Sequence, residues 1–510
     1  MENCAVCGIE SKQKCSGCNL VFYCSRDHQV ADWKNGHKTN CKCYDISSNN
    51  ILGRFMLAKR DIKHGEIILR EKPIVIGPKT ISNVMCLGCH QLLNVNYYKC
   101  SKCTWPLCGK SCETSEYHVD ECKLMSSKNF KSSIKEVGKL ESSYCVIVPL
   151  RVIFMRKNQP KMYQQFSKLV SHLDQRISTK LYDVLRANLV PFILNFLQIP
   201  DLTEKEILEI AGILDTNCFE VLLTSKKVKA RGIYYETAMM AHECIPNTKH
   251  FVDENYEMKV FATQMIKKGE MILTSYSHPL KTTLERRLAI NLAKCFDCVC
   301  PRCIDPTERN TFSSSIKCCT CKDGVLTSCD PLTNLSEWQC IKCEHKVSGA
   351  KIIQLTSEIR KSLDHLNKRS VVECENFIKS YKKFLPDSSV FMMDVKYALC
   401  MLYGNVDGYF FRDLSPDQIQ RKLDLCNQLL SELSILEPGI SNSVLNTKFE
   451  LNVAEILKIK SQFKPNNETS KLIEIHMEKI NETYNFLRVA SDGKALIDNR
   501  FKKIKEESSL

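Results

Sequence analysis

The sequence predicts an α+β protein built of several units, with a zinc-rich, strand-bearing first two thirds and an α-helical last third. Three observations carry that reading. Most of the 30 cysteines fall in dense runs up to residue 343, and only Cys374, Cys400 and Cys426 lie beyond it. At the same place the apolar pattern changes from short strand-like stretches to a helical period of about 3.6 residues. At 510 residues the chain is long enough for three or four cooperating domains. Its 44% hydrophobic and 25% charged content is that of folded globular proteins, which excludes collagen-like, coiled-coil and disordered classes. No apolar run reaches the roughly 18 to 20 residues of a bilayer span, so no membrane role is expected. The start, MENCAVCGIE, has no apolar signal core, and the expected compartment is cytoplasmic and/or nuclear. Cysteines in such a reducing setting read as zinc thiolates rather than disulfides. The net charge of +14 favours acidic partners. The basic residues are spread along the chain, however, and no base-reading module accompanies them, so nucleic acid is not expected as the primary ligand.

The first cysteine run reads Cys4-x2-Cys7, Cys15-x2-Cys18, Cys24-x3-His28 and His37-x3-Cys41. The second repeats the plan as Cys86-x2-Cys89, Cys100-x2-Cys103, Cys108-x3-Cys112 and His118-x3-Cys122. Eight soft or borderline donors in four close pairs make two closed tetrahedral zinc sites per run. A segment of about 40 residues cannot build a sufficient apolar core, so metal binding supplies much of its folding free energy.

Between and after these runs the pattern is strand-rich. Residues 51–78 hold short apolar stretches around a Lys-His-Gly turn. Ile62-Lys63-x-Gly65-Glu66-x-Ile68-Leu69 is echoed two hundred residues later by Ile266-Lys267-x-Gly269-Glu270-x-Ile272-Leu273. Ahead of the second copy stands Ala241-His242-Glu243-Cys244-Ile245-Pro246-Asn247, Tyr276 ends its strand, and Cys298-x-Cys300-x2-Cys303 follows. Three cysteines in six residues occupy three corners of a tetrahedron and need a fourth ligand. Cys318-x2-Cys321 and Cys340-x2-Cys343 form a zinc-ribbon pattern in which Cys319 rivals Cys318 as first ligand. About six zinc ions result. Cys43, Cys145, Cys218, Cys295, Cys319, Cys329, Cys374, Cys400 and Cys426 remain, and are read as buried apolar thiols.

The paired-ligand runs, with Tyr23-Cys24-Ser25 and Asp32-Trp33, resemble MYND zinc fingers, in which the first and third ligand pairs share one metal and the second and fourth the other. His28 stands where that family has cysteine, and Trp105-Pro106-Leu107-Cys108 replaces its usual Tyr-Cys step. MYND fingers dock short proline-containing peptides, which the resemblance implies as partners. The ordered set from Ala241 to Cys303 resembles the SET methyltransferase domain, whose signature is Asn-His-Ser-Cys-x-Pro-Asn. With a MYND finger inserted after the first SET strands, the whole chain resembles the SET and MYND domain (SMYD) family of protein-lysine methyltransferases, most closely its arthropod branch with an extra N-terminal finger. The resemblance implies a first finger at 1–45, the first part of the SET domain at 50–80, a second finger at 84–124 and a helical insertion at 125–215. The catalytic SET core then covers 216–280, the post-SET zinc site and ribbon 281–345, and a tetratricopeptide-like helical domain 346–510.

By the same resemblance Cys244 completes the post-SET zinc site and S-adenosyl-L-methionine is the cofactor. A lysine of a protein or peptide, histone or not, accepts the methyl group. Tyr276 is the orienting catalytic residue, and Gly53, Arg54, Asn217, His242 and Phe296 match cofactor-binding positions. Phe55, Ala241, Glu243 and Lys294 depart from the family pattern, and Lys294 in an aromatic channel either repels a substrate ammonium or points outward. The competing reading is an inactive scaffold that recruits partners through its fingers.

In the last third, Leu423, Cys426, Leu430 and Leu433, then Leu445, Phe449, Val453, Ile456 and Ile459, mark two amphipathic helices joined at Pro438-Gly439. Their domain is either a lid on the SET core or a groove for a partner peptide. The basic cluster at 500–505 is expected to be a solvated tail.

Overall fold

The computed structural model describes residues 2–38, 41–134, 138–223, 228–490 and 494–508. The strand-rich core contains β1 (Tyr44–Asn49), β2 (Gly53–Ala58), β3 (Ile67–Glu71), β4 (Val75–Pro78), β5 (Cys218–Leu223) and β6 (Val228–Ile233). It continues with β7 (Ala241–His242), β8 (Thr248–Val252), β9 (Met258–Ala262) and β10 (Met271–Thr274). They form three small sheets, ordered β5-β6-β4, β8-β9-β3 and β7-β10-β2-β1. The two echoed Gly-turn segments pair with each other. Ile62 and Ile266 exchange backbone hydrogen bonds of 2.8 and 3.0 Å, and the Gly269 amide donates to Ala58. A repeat that is weak evidence in one dimension is thus a contact in three, closing β2 onto β10.

The insertion between β4 and β5 holds the second finger and α1 (Val119–Ser127), α2 (Ile147–Asn158), α3 (Lys180–Pro191) and α4 (Glu204–Asn217). A capping box of Thr203 and Glu206 starts α4, satisfying amides that the first turn leaves unpaired. Trp105 explains the altered step in that finger. It is buried, stacks on Phe130 and Tyr144 at 5.8 and 5.6 Å, and donates its indole N–H to Met125 Sδ. The tryptophan therefore welds the finger to the helices behind it. The first finger contacts the core where Lys14 pairs with Glu257 at 2.5 Å and Arg70 lies 5.7 Å from the Phe22 ring.

Beyond the SET core come α5 (Thr283–Lys294), α6 (Pro301–Ile304), a four-stranded ribbon and α7 (Gly349–His365), α8 (Val371–Tyr381), α9 (Val390–Leu402), α10 (Pro416–Leu436) and α11 (Asn442–Gln462). The last helices are α12 (Asn467–Ala490) and α13 (Lys494–Ser508). α10 and α11 are the hairpin expected from the apolar period. Its turn abuts the SET core: Gly439, at φ +80, lies so close to Thr263 that an added Cβ would stand 1.5 Å from that residue's carbonyl oxygen. Lys249 pairs with Glu437 at 3.7 Å beside it, and Arg360 of α7 grips Glu285 of α5 with two bonds of 2.7 and 3.0 Å. The helical domain is packed on the SET core as a lid is.

Two expectations are corrected. The 500–505 cluster is part of α13 and not a solvated tail: Phe501 and Ile504 are buried, Phe501 stacks on Tyr484 at 3.9 Å, and Arg500 pairs with the buried Glu450. Its basic residues alternate with an apolar stripe, and the stripe decides the packing. Among the leftover cysteines Cys43, Cys374, Cys400 and Cys426 are buried, Cys145, Cys218 and Cys295 are only half-buried, and Cys319 and Cys329 are exposed, because these last two sit in the small ribbon where little apolar interior exists. Among the described residues no helix is long and apolar enough to cross a membrane.

Candidate active site and its zinc centres

Four-donor clusters form at Cys4, Cys7, Cys24 and His28 and at Cys15, Cys18, His37 and Cys41 in the first finger. The second finger gathers Cys86, Cys89, Cys108 and Cys112, then Cys100, Cys103, His118 and Cys122, and the post-SET segment gathers Cys244, Cys298, Cys300 and Cys303. In each the donor atoms all lie within 4.8 Å of one another. A zinc–sulfur bond of about 2.3 Å sets the edge of a ZnS4 tetrahedron at about 3.8 Å. Observed Sγ···Sγ separations of 3.5 Å for Cys89–Cys108, 3.6 Å for Cys15–Cys41 and 3.6 Å for Cys244–Cys303 match it. Four cysteines in two of the clusters, and three cysteines with a histidine in the other three, are donor sets that fit tetrahedral zinc. In the ribbon Cys318 lies 3.6 Å from Cys343, and Cys321 lies 3.6 Å from Cys340. Cys319 turns outward, 3.5 Å from His345 Nε2, and leaves the ligand position to Cys318.

The fingers are braced by the residues that flank their ligands. Ser25 caps the short helix that carries His28, accepting its backbone N–H, and His28 Nδ1 lies 3.1 Å from Cys24 Sγ. The Tyr23 hydroxyl donates to Asp32 at 2.6 Å.

The candidate methyl-transfer site lies at one end of the β7-β10-β2-β1 sheet. β7 runs parallel to β10 with His242 opposite Thr274, and β2 runs antiparallel with Met56 opposite Ile272. Continuing that register carries Gly53 and Arg54 to the same end as His242 and Tyr276. Asn247 of the signature holds the end in place: its side chain donates to Met271 O at 2.8 Å and accepts from the Leu273 amide at 2.7 Å.

Tyr276 is half-buried and donates its hydroxyl proton to Met240 O at 2.6 Å, and burial pushes its pKa up to about 12. His242 stacks on the Tyr276 ring at 5.1 Å, and its Nδ1 accepts the Tyr276 amide at 3.0 Å. Burial holds His242 down at about 4, so the ring is neutral at pH 7, with Nε2 directed to Cys244 Sγ at 3.4 Å. Phe296 lies 6.2 Å from His242. Gly53 has φ +67 with open space where a Cβ would stand, and the side chain of the half-buried Arg54 makes no hydrogen bond or ion pair among the described residues. Asn217 is less available, because its amide nitrogen is spent on Val170 O and Ile213 O at 2.9 and 2.8 Å. Ala241 and Phe55 are buried in strand positions where neither offers a polar group.

Lys294 resolves the alternative the sequence left open, for it points inward. Its Nζ lies 4.8 Å from the Tyr276 ring centroid and donates to the Thr216 carbonyl.

Sequence reasoning missed what fixes the post-SET wall. Glu308, buried, accepts from Arg286 at 2.8 Å, Arg302 at 2.7 Å and Thr283 at 2.9 Å, and Arg286 also reaches Cys303 Sγ at 3.7 Å. The signal available was the Arg302 to Glu308 spacing beside the cysteines, which has no meaning until α5 brings Arg286 alongside.

Comparison with known proteins agrees with this architecture. A MYND finger model matches residues 4–41 and a SET domain model matches 53–277. The SET domain-containing protein SmydA-8, isoform A, of Drosophila melanogaster is 28% identical over 69% of this chain and 76% of its own length. Histone-lysine N-methyltransferase ASHR1 of Arabidopsis thaliana is 27% identical over 62% and 68%. Histone-lysine N-methyltransferase SET5 of Saccharomyces cerevisiae is 25% identical over 51% and 60%. Residues 53–277 thus form a SET domain. Among these relatives SmydA-8 is the one to which the chain is most extensively similar, and a MYND finger ahead of a SET domain is the order found here.

Proposed function

We propose that this chain is an S-adenosylmethionine-dependent protein-lysine N-methyltransferase acting on histone or non-histone proteins in the cytoplasm and/or nucleus, with six structural zinc ions. The observation that supports it most is the convergence of Arg54, His242 and Tyr276 at one sheet end, backed by the Cys244 cluster. The names of the Arabidopsis and yeast relatives agree with that activity. The residues present fit the cofactor. Gly53 leaves the backbone open to close approach, Arg54 is a half-buried cation free to take a carboxylate, and His242 and Phe296 offer ring surfaces for an adenine. When bound, the cofactor supplies a methyl group already activated on a sulfonium.

The protein's own task is alignment. With its proton anchored on Met240 O, the Tyr276 hydroxyl keeps oxygen lone pairs to accept an N–H from the incoming amine, which fixes that nitrogen for in-line attack. The half-buried setting withholds water, which favours the uncharged amine the reaction requires. Of the two fingers, the first keeps Val6, Val30 and Trp33 exposed and is the one suited to docking a proline-containing peptide. The second is embedded through Trp105 and Leu107.

The test is calorimetric titration of S-adenosylmethionine into zinc-loaded protein, followed by transfer of labelled methyl to a protein panel. Binding is expected, and Tyr276→Phe is expected to retain it while transfer falls by at least about a hundredfold, the usual range for losing a positioned proton-handling group. A chain that fails to bind even with Ala241→Asn restoring the signature amide would be a scaffold instead.

A further inference from the structure

Lys294 is the last residue of α5, and an apolar or aromatic side chain would fill its place without bringing charge into the site. Instead its ammonium is held by the Thr216 carbonyl over the ring of Tyr276. Among the described residues no carboxylate pairs with it. The charged and titratable groups around it are Arg176, which caps the end of α5 by donating to Ala293 O at 2.7 Å and also bonds Thr216 Oγ1 at 3.0 Å, His172, His242 and the Cys218 thiol. None of these supplies a resident anion at pH 7, since arginine and histidine side chains carry no negative charge and burial holds the Cys218 thiol above its ordinary value. The ring beside the proposed acceptor position is therefore already in contact with a cation.

We propose that Lys294 is a specificity-determining residue of the methyl-transfer site, whose ammonium repels other cations from Tyr276 so that the acceptor amine enters uncharged and a thioether ligand is held in preference to a sulfonium. The inference rests on the methyltransferase reading above. In the reaction the amine lone pair forms the N–C bond as the S–C bond breaks, the sulfonium becomes a neutral thioether, and the surplus proton on nitrogen leaves to water. A pocket with no resident cation binds the abundant ammonium form of the acceptor unproductively. Lys294 disfavours that form by like-charge repulsion, and weakens sulfonium binding in the same way. Burial lowers the pKa of Lys294 to about 8, with Cys218 opposing and Arg176 reinforcing the shift. The discrimination is thus present below pH 8 and fades above it.

The experiment is calorimetry on the full zinc-loaded chain with S-adenosylmethionine and with S-adenosylhomocysteine, at pH 6.5 and pH 9, for the natural sequence and Lys294→Met. The two ligands share an amino-acid end, so its titration cancels in their affinity ratio. The thioether-to-sulfonium preference is expected to be at least about tenfold greater at pH 6.5 than at pH 9 in the natural protein, and to stay at the high-pH value at both pH values in Lys294→Met. A preference that is the same at both pH values overturns the inference and leaves the methyltransferase reading standing. No binding of either ligand by either protein overturns both. Should Lys294→Met fail to fold, the natural protein's two pH values decide alone.

Discussion

Disrupting the post-SET zinc site by Cys303→Ser is expected to abolish cofactor binding while both fingers keep their metal. Cys244 stands two residues from His242, and Cys298 two from Phe296, so one ion ties the signature strand to the segment bearing the adenine-side ring. Structural zinc contributes about 10 to 16 kcal/mol of apparent binding free energy in finger peptides, which equals or exceeds the whole stability of an ordinary domain. Apolar packing adds little in the 295–304 segment, where Cys298 and Cys303 form a small cluster with Cys244 and Ile290, and its other anchor is the pairing of Arg302 with Glu308. Elemental analysis should show one zinc fewer than in the natural protein, with a lower melting temperature and no calorimetric signal from S-adenosylmethionine. Undiminished cofactor binding by Cys303→Ser would mean that the wall stands without metal. Stripping all zinc with a strong chelator should go further and unfold both fingers, read as loss of near-ultraviolet circular dichroism.

The second large effect is expected at Glu308. Its carboxylate is the shared counter-ion of Arg286 and Arg302, and all three side chains are buried. Glu308→Ala leaves two guanidinium groups in the interior without an anion, a change that costs about 3 to 5 kcal/mol. Set against the roughly 5 to 15 kcal/mol of an ordinary domain, that is a large fraction of its stability and lowers the melting temperature markedly. Replacing the three together with Met or Leu is expected to recover most of the loss, because the charges then leave with their partner. Burial works against the Glu308 anion, but Arg286 and Arg302 outweigh it and hold the pKa down at about 2. A carboxyl group depressed on folding stabilises above its unfolded pKa of about 4.3. That contribution is lost as pH falls from there through 2. Urea titrations at pH 6 and pH 3.5 should show the natural protein losing stability that Glu308→Gln has already lost. Equal losses in both would show that acid acts elsewhere, on the zinc thiolates.

Much of this molecule is written locally. Ligand pairs at x2 and x3 spacing specify zinc because the metal's geometry is strict and the two donors of a pair lie within one turn or knuckle, whereas which pairs share a metal is implied only by the family resemblance and is seen in the folded clusters. The α10–α11 hairpin is equally legible, since a helical apolar stripe closed by Pro438-Gly439 needs no distant information. The tertiary structure decided everything that depends on residues far apart meeting. It paired Ile62 with Ile266, placed Glu308 between Arg286 and Arg302, and buried Arg500 against Glu450 where a tail was expected. It also turned Lys294 onto Tyr276. The physical reason is the same in each case. A ligand pair is set by near neighbours, whereas the fate of a charge, like the completion of the Cys244 site by Cys298, Cys300 and Cys303, is set by partners that only the assembled fold supplies.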